Sequence, residues 1–328
     1  VHLDALRRCP GLRLVALAEP DPARLAAAAR REPAAWAGAD YRELLGRPDV
    51  EAVLVCVPSG LHAEVAEAAF GAGKHVYLEK PLAIDRDGAS RVLAAWRASG
   101  RVGMIGFNSR FDPLISAAAA QLREGRLGEL AAVRCSLGTA AHDLPDWKRE
   151  RAQGGGVLLD LASHHLDLLP FLLGDPVRSV FAQLRSLRSE ADTATLQLRF
   201  ASGLVGQCLF SLGSIEEDRL EVLGRNGKLV VDRLGFDVEL VEPTPRRSRL
   251  AWLARAARSL VRSPNLVPRL RAPLREPSYD RAMACFASAC RGQAASPDLL
   301  DGLRSLEIVL AAEESASSGR PVDVRPIP

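Results

Sequence analysis

At 328 residues and 35.3 kDa, the chain is too long for one ordinary core, so about two domains are expected. Hydrophobic residues at 48% and charged residues at 25% exclude disorder or a fibrous repeat as the main state, and no apolar run approaches the ~20 residues of a membrane span. The net charge of +3 hides an asymmetry, because residues 243–275 hold nine arginines and no acid, leaving −6 on the rest.

The first 108 residues alternate short apolar runs with helical patterns. Strands are predicted at Leu12–Ala18, Ala52–Val57, His75–Leu78 and Val102–Phe107. Between them, helices are predicted at Pro22–Arg31, Tyr41–Leu45, Leu61–Ala72 and Asp85–Ser99, the last two closed by Gly73 and Gly100. Strands separated by helices of this length imply right-handed crossovers and a mostly parallel sheet.

After residue 109 the pattern changes. A helix over Pro113–Glu124, a strand over Leu130–Leu137 and a long apolar helix over Leu158–Leu173 come first. Strands follow in series at Val177–Leu184, Thr193–Phe200, Leu204–Ser211, Arg219–Leu223, Lys228–Val231 and Phe236–Leu240. Glycine-bearing turns such as Ala201-Ser202-Gly203 suit antiparallel hairpins. Helices near Tyr279–Arg291 and Leu299–Ser318 finish the chain. The expectation is a doubly layered α/β domain over 1–108 and an α+β domain over 109–328, the second with a large, mostly antiparallel sheet and a basic insertion at 243–275.

Lys74–Ala83 places Glu79, Lys80 and Pro81 at the carboxyl end of a predicted parallel strand, the edge where open sheets bind ligands. Alone, Glu-Lys-Pro is more often a solvated strand end. It stands, however, with Val53–His62 upstream, Gly106–Pro113 downstream, and then Gly154–Gly174, which carries Asp160, His164, His165 and Asp167. Together these segments resemble the Gfo/Idh/MocA family of NAD(P)-dependent oxidoreductases, over nearly the whole chain and in order. The resemblance implies a Rossmann-like domain, hydride transfer between NAD(P) and a secondary alcohol or ketone of a sugar or cyclitol, and no metal. Two alternatives within the family are an NAD-dependent glycosidase and a regulator that senses sugar or cofactor without turnover.

The family's catalytic lysine matches Lys80, and its Asp-x-x-x-His pair matches Asp160 and His164. Four residues apart on a predicted helix, Asp160 and His164 share a face. A carboxylate there is expected to raise the imidazole's pKa and orient its ring, so that His164 exchanges a proton with the reacting hydroxyl while Lys80 stabilises charge on the same oxygen. Cofactor contacts are expected from Val57, Pro58, Ser59, His62, Glu79, Lys80 and Pro81. Asn108, Arg110, Trp147 and His165 are substrate candidates, with His142 in the same polar stretch as Trp147. Asp167 is expected to hold a structural hydrogen bond, as is His75.

A dinucleotide fold normally opens with a strand and Gly-x-Gly-x-x-Gly, and the chain contains no such loop. Val1–Gly11 resembles the later part of the family's first helix, so the first strand and its glycines are expected upstream of residue 1. Glu19 follows the second predicted strand of the family pattern, where an acid bonds the ribose hydroxyls and repels a 2′-phosphate. NAD is therefore expected in preference to NADP.

Six scattered cysteines without a Cys-x-x-Cys pair suit reduced thiols. The opening Val1-His2-Leu3-Asp4 lacks a signal-peptide pattern, so a cytoplasmic location is expected. Arg249–Arg262 patterns as a basic amphipathic helix. A solvated lid or dimer-edge helix is the plain reading; an anionic substrate and a membrane surface are the others, and nucleic acid is disfavoured for want of aromatic partners. The open sheet face of the second domain is expected to pair copies into a dimer or tetramer.

Overall fold

A computed structural model describes residues 1–33, 35–140, 143–214, 216–243 and 277–327. The expected basic helix at 249–262 and His142 lie outside the described residues.

The chain opens with α1 (His2–Arg8), then β1 (Ala16–Ala18), α2 (Pro22–Arg31), β2 (Trp36–Gly38) and α3 (Tyr41–Leu45). β1 and β2 pair in parallel. Asp21 starts α2 by accepting a hydrogen bond from the Arg24 amide at 2.9 Å, with proline at the first helical position, where its missing N–H costs nothing. β3 (Ala52–Val55), β4 (His75–Leu78) and β5 (Gly103–Ile105) form a second parallel ladder with β4 in the centre. Val76, Tyr77 and Leu78 are fully buried there, as expected for a strand covered on both faces. The crossovers are α4 (His62–Gly71) and α5 (Arg86–Ser99), which pack on each other. The expected parallel pairing is present, and among the described residues it forms two parallel ladders that share no strand.

The second half is built on one eight-stranded sheet. Its strands are β6 (Leu130–Ala140), β7 (Val177–Arg185), β8 (Thr193–Phe200), β9 (Val205–Ser214), β10 (Glu217–Gly224), β11 (Gly227–Asp232), β12 (Asp237–Val241) and β13 (Val322–Asp323), in the order β12-β11-β10-β6-β9-β8-β7-β13. Every pairing is antiparallel except β6 with β9. Alternation along β8 and β9 puts Ala194, Leu196, Leu198, Phe200, Cys208 and Phe210 on the buried face.

That face is covered by α6 (Pro113–Arg123), α8 (Ser163–Leu173) and α10 (Leu299–Ser318), with α9 (Pro277–Cys290) against α1. The apolar stretch Arg151–Leu173 is long enough to cross a membrane by length and composition, yet most of it is buried as a core element. The opposite sheet face carries Val205, Leu209 and Leu223 exposed, around an open depression of about 790 Å³. All six cysteines are free thiols.

The halves are clamped by an ion pair and by a side-chain hydrogen bond to backbone. Arg86 at the start of α5 meets Glu307 of α10 at 2.8 Å. Arg151 bonds Glu313 of α10 and donates to the Ile84 carbonyl at 2.8 Å.

Candidate active site

The loops after β3 and β4 lie side by side at the carboxyl edge of the parallel ladder. His62 ties them together, its Nδ1 2.6 Å from the Pro81 carbonyl oxygen and its Nε2 3.0 Å from that of Val57. The ring is 1% exposed, and burial lowers its pKa from 6.5. Buried with both nitrogens turned to backbone carbonyls, His62, expected as a cofactor contact, stands as a brace beneath the two loops. Ser59 is also buried, under the loop at Gly154, where an added Cβ would stand 2.6 Å from the Ser59 Cβ.

Lys80 leaves this edge toward the second half. Its Nζ donates to the Asp160 backbone carbonyl at 2.6 Å and lies 3.4 Å from Asp160 Oδ1. Asp160 belongs to a π-helical turn, Leu158–Ala162, that runs straight into α8. The regular helix expected over this stretch is thus widened at its start. In a turn bonded i→i+5, a residue four places on falls short of one full turn, and the face shared by Asp160 and His164 is skewed. No described hydrogen bond joins these two residues, and His164 Nδ1 is buried without a partner.

The Asp160 carboxylate is held instead by Lys148, whose Nζ donates to Oδ1 at 2.9 Å and Oδ2 at 3.0 Å. Burial alone would raise the Asp160 pKa; the charges of Lys80 and Lys148 reverse this and bring it down to about 2. The His164 pKa is lowered well below 6.5, by burial first and then by Lys80 and Arg233, with Asp160 opposing too weakly to offset them. The expected upward shift is therefore overturned, and His164 stands neutral, the form that can accept a proton.

His164 opens on a cleft of about 290 Å³ lined also by Asn108, Ser109, Asp112, Asp218, Arg233 and Tyr279. Arg233 spans its floor, Nε 3.1 Å from Asp112 and Nη1 2.5 Å from Asp218. Asn108 lines the cleft with its amide donating to Ser278 Oγ at 3.1 Å.

Three substrate candidates are not brought to the cleft. Arg110 is buried in a bidentate pair with Asp167, at 2.8 and 2.5 Å, and reaches Asp301 at 3.2 Å. Asp167 thus holds a structural ion pair, and Arg110 is turned to it and not to the cleft. His165 is 1% exposed, edge-on to Phe210, with Nε2 3.4 Å from Asp218. It is likewise not among the residues that line the cleft. Trp147 is half-buried with the Lys148 ammonium 5.3 Å from its ring centre, and it is absent from the cleft lining. The sequence reading missed Lys148, Asp112, Asp218 and Arg233. Lys148 had one signal, its place next to Trp147; Asp112 caps α6, Asp218 sits on β10 and Arg233 just past β11, segments that only the fold brings together.

The donor set suits a dinucleotide along the carboxyl edge. Glu19, half-buried just past β1, has one carboxylate oxygen on the Asp21 amide at 3.0 Å. The close approach of Gly106 to Glu79, where a Cβ would come within 2.8 Å of the carboxylate, keeps the β4 and β5 ends tight beside Lys80. Among the described residues no group of three His, Cys, Asp or Glu converges as a metal site would.

Comparison with known proteins matches residues 1–107 to the oxidoreductase family with an NAD-binding Rossmann fold and residues 115–230 to the GFO/IDH/MocA C-terminal domain. The chain is 31% identical to 1,5-anhydro-D-fructose reductase of Ensifer adhaerens, covering 86% of this chain and 82% of that protein. It is 29% identical to myo-inositol 2-dehydrogenase of Thermotoga maritima, covering 71% and 72%. Among solved structures, the WlbA dehydrogenase of Bordetella pertussis, in complex with NADH and UDP-GlcNAcA, superposes with a TM-score of 0.83 at 23% identity, over 100% of this chain and 94% of that one.

Proposed function

The chain belongs to the GFO/IDH/MocA family of NAD-binding oxidoreductases, and from that premise we propose that it interconverts a secondary alcohol and a ketone on a sugar or cyclitol. The observation that carries this reading is the meeting of Lys80, from the edge of the parallel ladder, with Asp160, four residues from a neutral His164 at the mouth of a polar cleft. Neutral His164 takes the hydroxyl proton in oxidation and returns it in reduction. The Lys80 ammonium stabilises charge building on the same oxygen. The Asp160 backbone carbonyl fixes the Lys80 ammonium in place. Asn108 contributes a polar contact at the cleft wall.

The dinucleotide, when bound, supplies or accepts the hydride. Glu19 favours NAD over NADP by bonding the adenosine ribose hydroxyls and repelling a 2′-phosphate. Val57–Ser59 and Glu79–Pro81 form the rim along which the cofactor lies, with His62 as the brace beneath. The exposed apolar residues of the outer sheet face, Val205, Leu209 and Leu223, support self-association through that face.

The test is NADH binding by fluorescence or calorimetry, followed by a polyol screen. It is run on this chain and on the same chain with whatever its reading frame encodes ahead of Val1. NADH binding with polyol-dependent NADH formation is expected. Binding of sugar or NADH without turnover would replace the dehydrogenase with the sensing regulator.

A further inference from the structure

Two ammonium groups converge on one carboxylate, and the closer of them is not the family lysine. Lys148 reaches both oxygens of Asp160 at 2.9 and 3.0 Å; Lys80 stands 3.4 Å from one of them. We infer that Lys148 is a positioning residue for the proposed reaction: by taking up the Asp160 carboxylate it keeps that group off His164 and leaves Lys80 with an unneutralised charge to turn toward a substrate oxygen. The inference rests on the reading of Lys80 and His164 given above.

The local sequence is shaped to bring Lys148 there. It sits on a single helical turn, α7 (Asp146–Arg149). Gly154, Gly155 and Gly156 fold the chain back onto it. Gly154 and Gly156 have φ of +94° and +89°, and Gly155 lies so close to the Lys148 carbonyl that no Cβ would fit. The Gly156 amide donates to that carbonyl at 3.3 Å, and the Asp160 amide in turn donates to the Gly156 carbonyl at 3.0 Å. A triple glycine therefore joins the backbone of residue 148 to the start of the π-helical turn.

Charge balance gives Lys148 its effect. Lys80, Lys148 and His164 face Asp160; Lys80, Arg233, His165 and Asp160 act on His164. One carboxylate between two ammonium groups leaves one positive charge in excess. Lys80 has three N–H donors; one goes to the Asp160 carbonyl at 2.6 Å and a second makes only a long 3.4 Å contact with Asp160 Oδ1, so it retains a donor and most of its charge. Without Lys148 the Asp160 carboxylate would turn to Lys80 and His164, damping the first and raising the pKa of the second.

The experiment follows the Asp160 carboxyl carbon by NMR in aspartate-labelled protein, assigned with Asp160→Asn. It compares the wild type with Lys148→Met, Lys148→Gln and Lys148→Arg. The expected result is a rise of about one unit or more in the Asp160 midpoint for the two uncharged variants, with Lys148→Arg returning close to the wild type. In turnover assays the acid limb of kcat/KM for oxidation moves to higher pH in Lys148→Met, while NADH affinity stays the same. An unchanged Asp160 midpoint in the folded uncharged variants would overturn the inference, as would failure of Lys148→Arg to restore it. A wild type that turns over no polyol counts against the functional reading alone, since the carboxyl titration still decides the role of Lys148.

Discussion

His62 and Pro81 make one of the shortest contacts at the sheet edge, Nδ1 to carbonyl oxygen at 2.6 Å, while the other ring nitrogen faces the Val57 carbonyl at 3.0 Å. A neutral imidazole has a single N–H, so the donor belongs on Nδ1, toward the shorter contact. Because His62 directly follows the loop after β3, this one bond to Pro81 ties that loop to the loop after β4. Replacing it with alanine is expected to cost about 2–4 kcal/mol, from the lost bond and the cavity together. It should also weaken NADH binding, because the Val57–Ser59 and Glu79–Pro81 rims lose their shared support. Denaturant unfolding and NADH titration of His62→Ala check both. Full stability with normal NADH affinity would remove the brace from the account.

His164→Gln is expected to lower kcat by about 10²–10⁴-fold, the usual worth of a positioned acid/base. NADH affinity should stay within a few-fold, since the residue lines the cleft beyond the cofactor rim. Steady-state kinetics in both directions, with NADH binding beside them, measure this.

The pH dependence of stability has a definite sign at the same residue. The folded-state pKa of His164 lies well below its ordinary 6.5, so the unfolded chain takes the proton first as the pH falls. Stability from this group is complete above pH 6.5 and lost on acidification toward the folded-state value. The loss is up to about 1.4 kcal/mol for each pH unit below 6.5. The difference in unfolding free energy between wild type and His164→Gln should therefore change between pH 7 and pH 5; a constant difference would mean that His164 titrates normally.

Arg110 is enclosed with Asp167 and Asp301. Asp167→Ala removes the closer partner from a side chain that is 10% exposed and should cost about 3–5 kcal/mol, as expected when a buried pair is broken on one side. The NADH rim is made by other residues, so cofactor affinity should hold in whatever fraction stays folded. Thermal unfolding and NADH titration read the two effects separately.

Glu19→Ala should narrow the preference for NADH over NADPH, by removing the carboxylate that repels a 2′-phosphate. Competitive binding of the two cofactors measures the ratio, and tighter NADPH binding by the wild type would reverse the assignment.

Much of the architecture was legible because local chemistry and tertiary packing agree. Pro22–Arg31, Tyr41–Leu45, His75–Leu78 and Leu299–Ser318 form with the predicted bounds. Three of these are helices opened by an aspartate that accepts a backbone N–H, Asp21, Asp40 and Asp298, a signal written in consecutive residues. β2 was missed because three residues around Trp36 carry no readable period. The π-helical turn was missed because its sequence, Leu158–Ala162, is as apolar as a regular helix start. Lys80, Asp160 and His164 were picked out by motif, but their electrostatics were not. The sign of the His164 shift depends on Lys80 and Arg233, which arrive from distant segments. Arg110 looked like a ligand contact because a strand-end arginine usually faces solvent; its two acids lie far along the chain.

The placement of β6 bears on how the protein is made. It is the first strand of the large sheet to leave the ribosome, yet its two neighbours are β9 and β10, so that Ala132 must wait for Val205 and Leu223 before its backbone is paired. Until then β7 and β8 can close only on each other, and β6 has both edges open. Pairing between segments so far apart is slow, and an unpaired apolar strand is an invitation to neighbouring chains. Chaperone demand during synthesis should therefore peak late, after the β7–β8 hairpin has emerged and before β10 has, and a released fragment ending near residue 200 should be the most prone to aggregate.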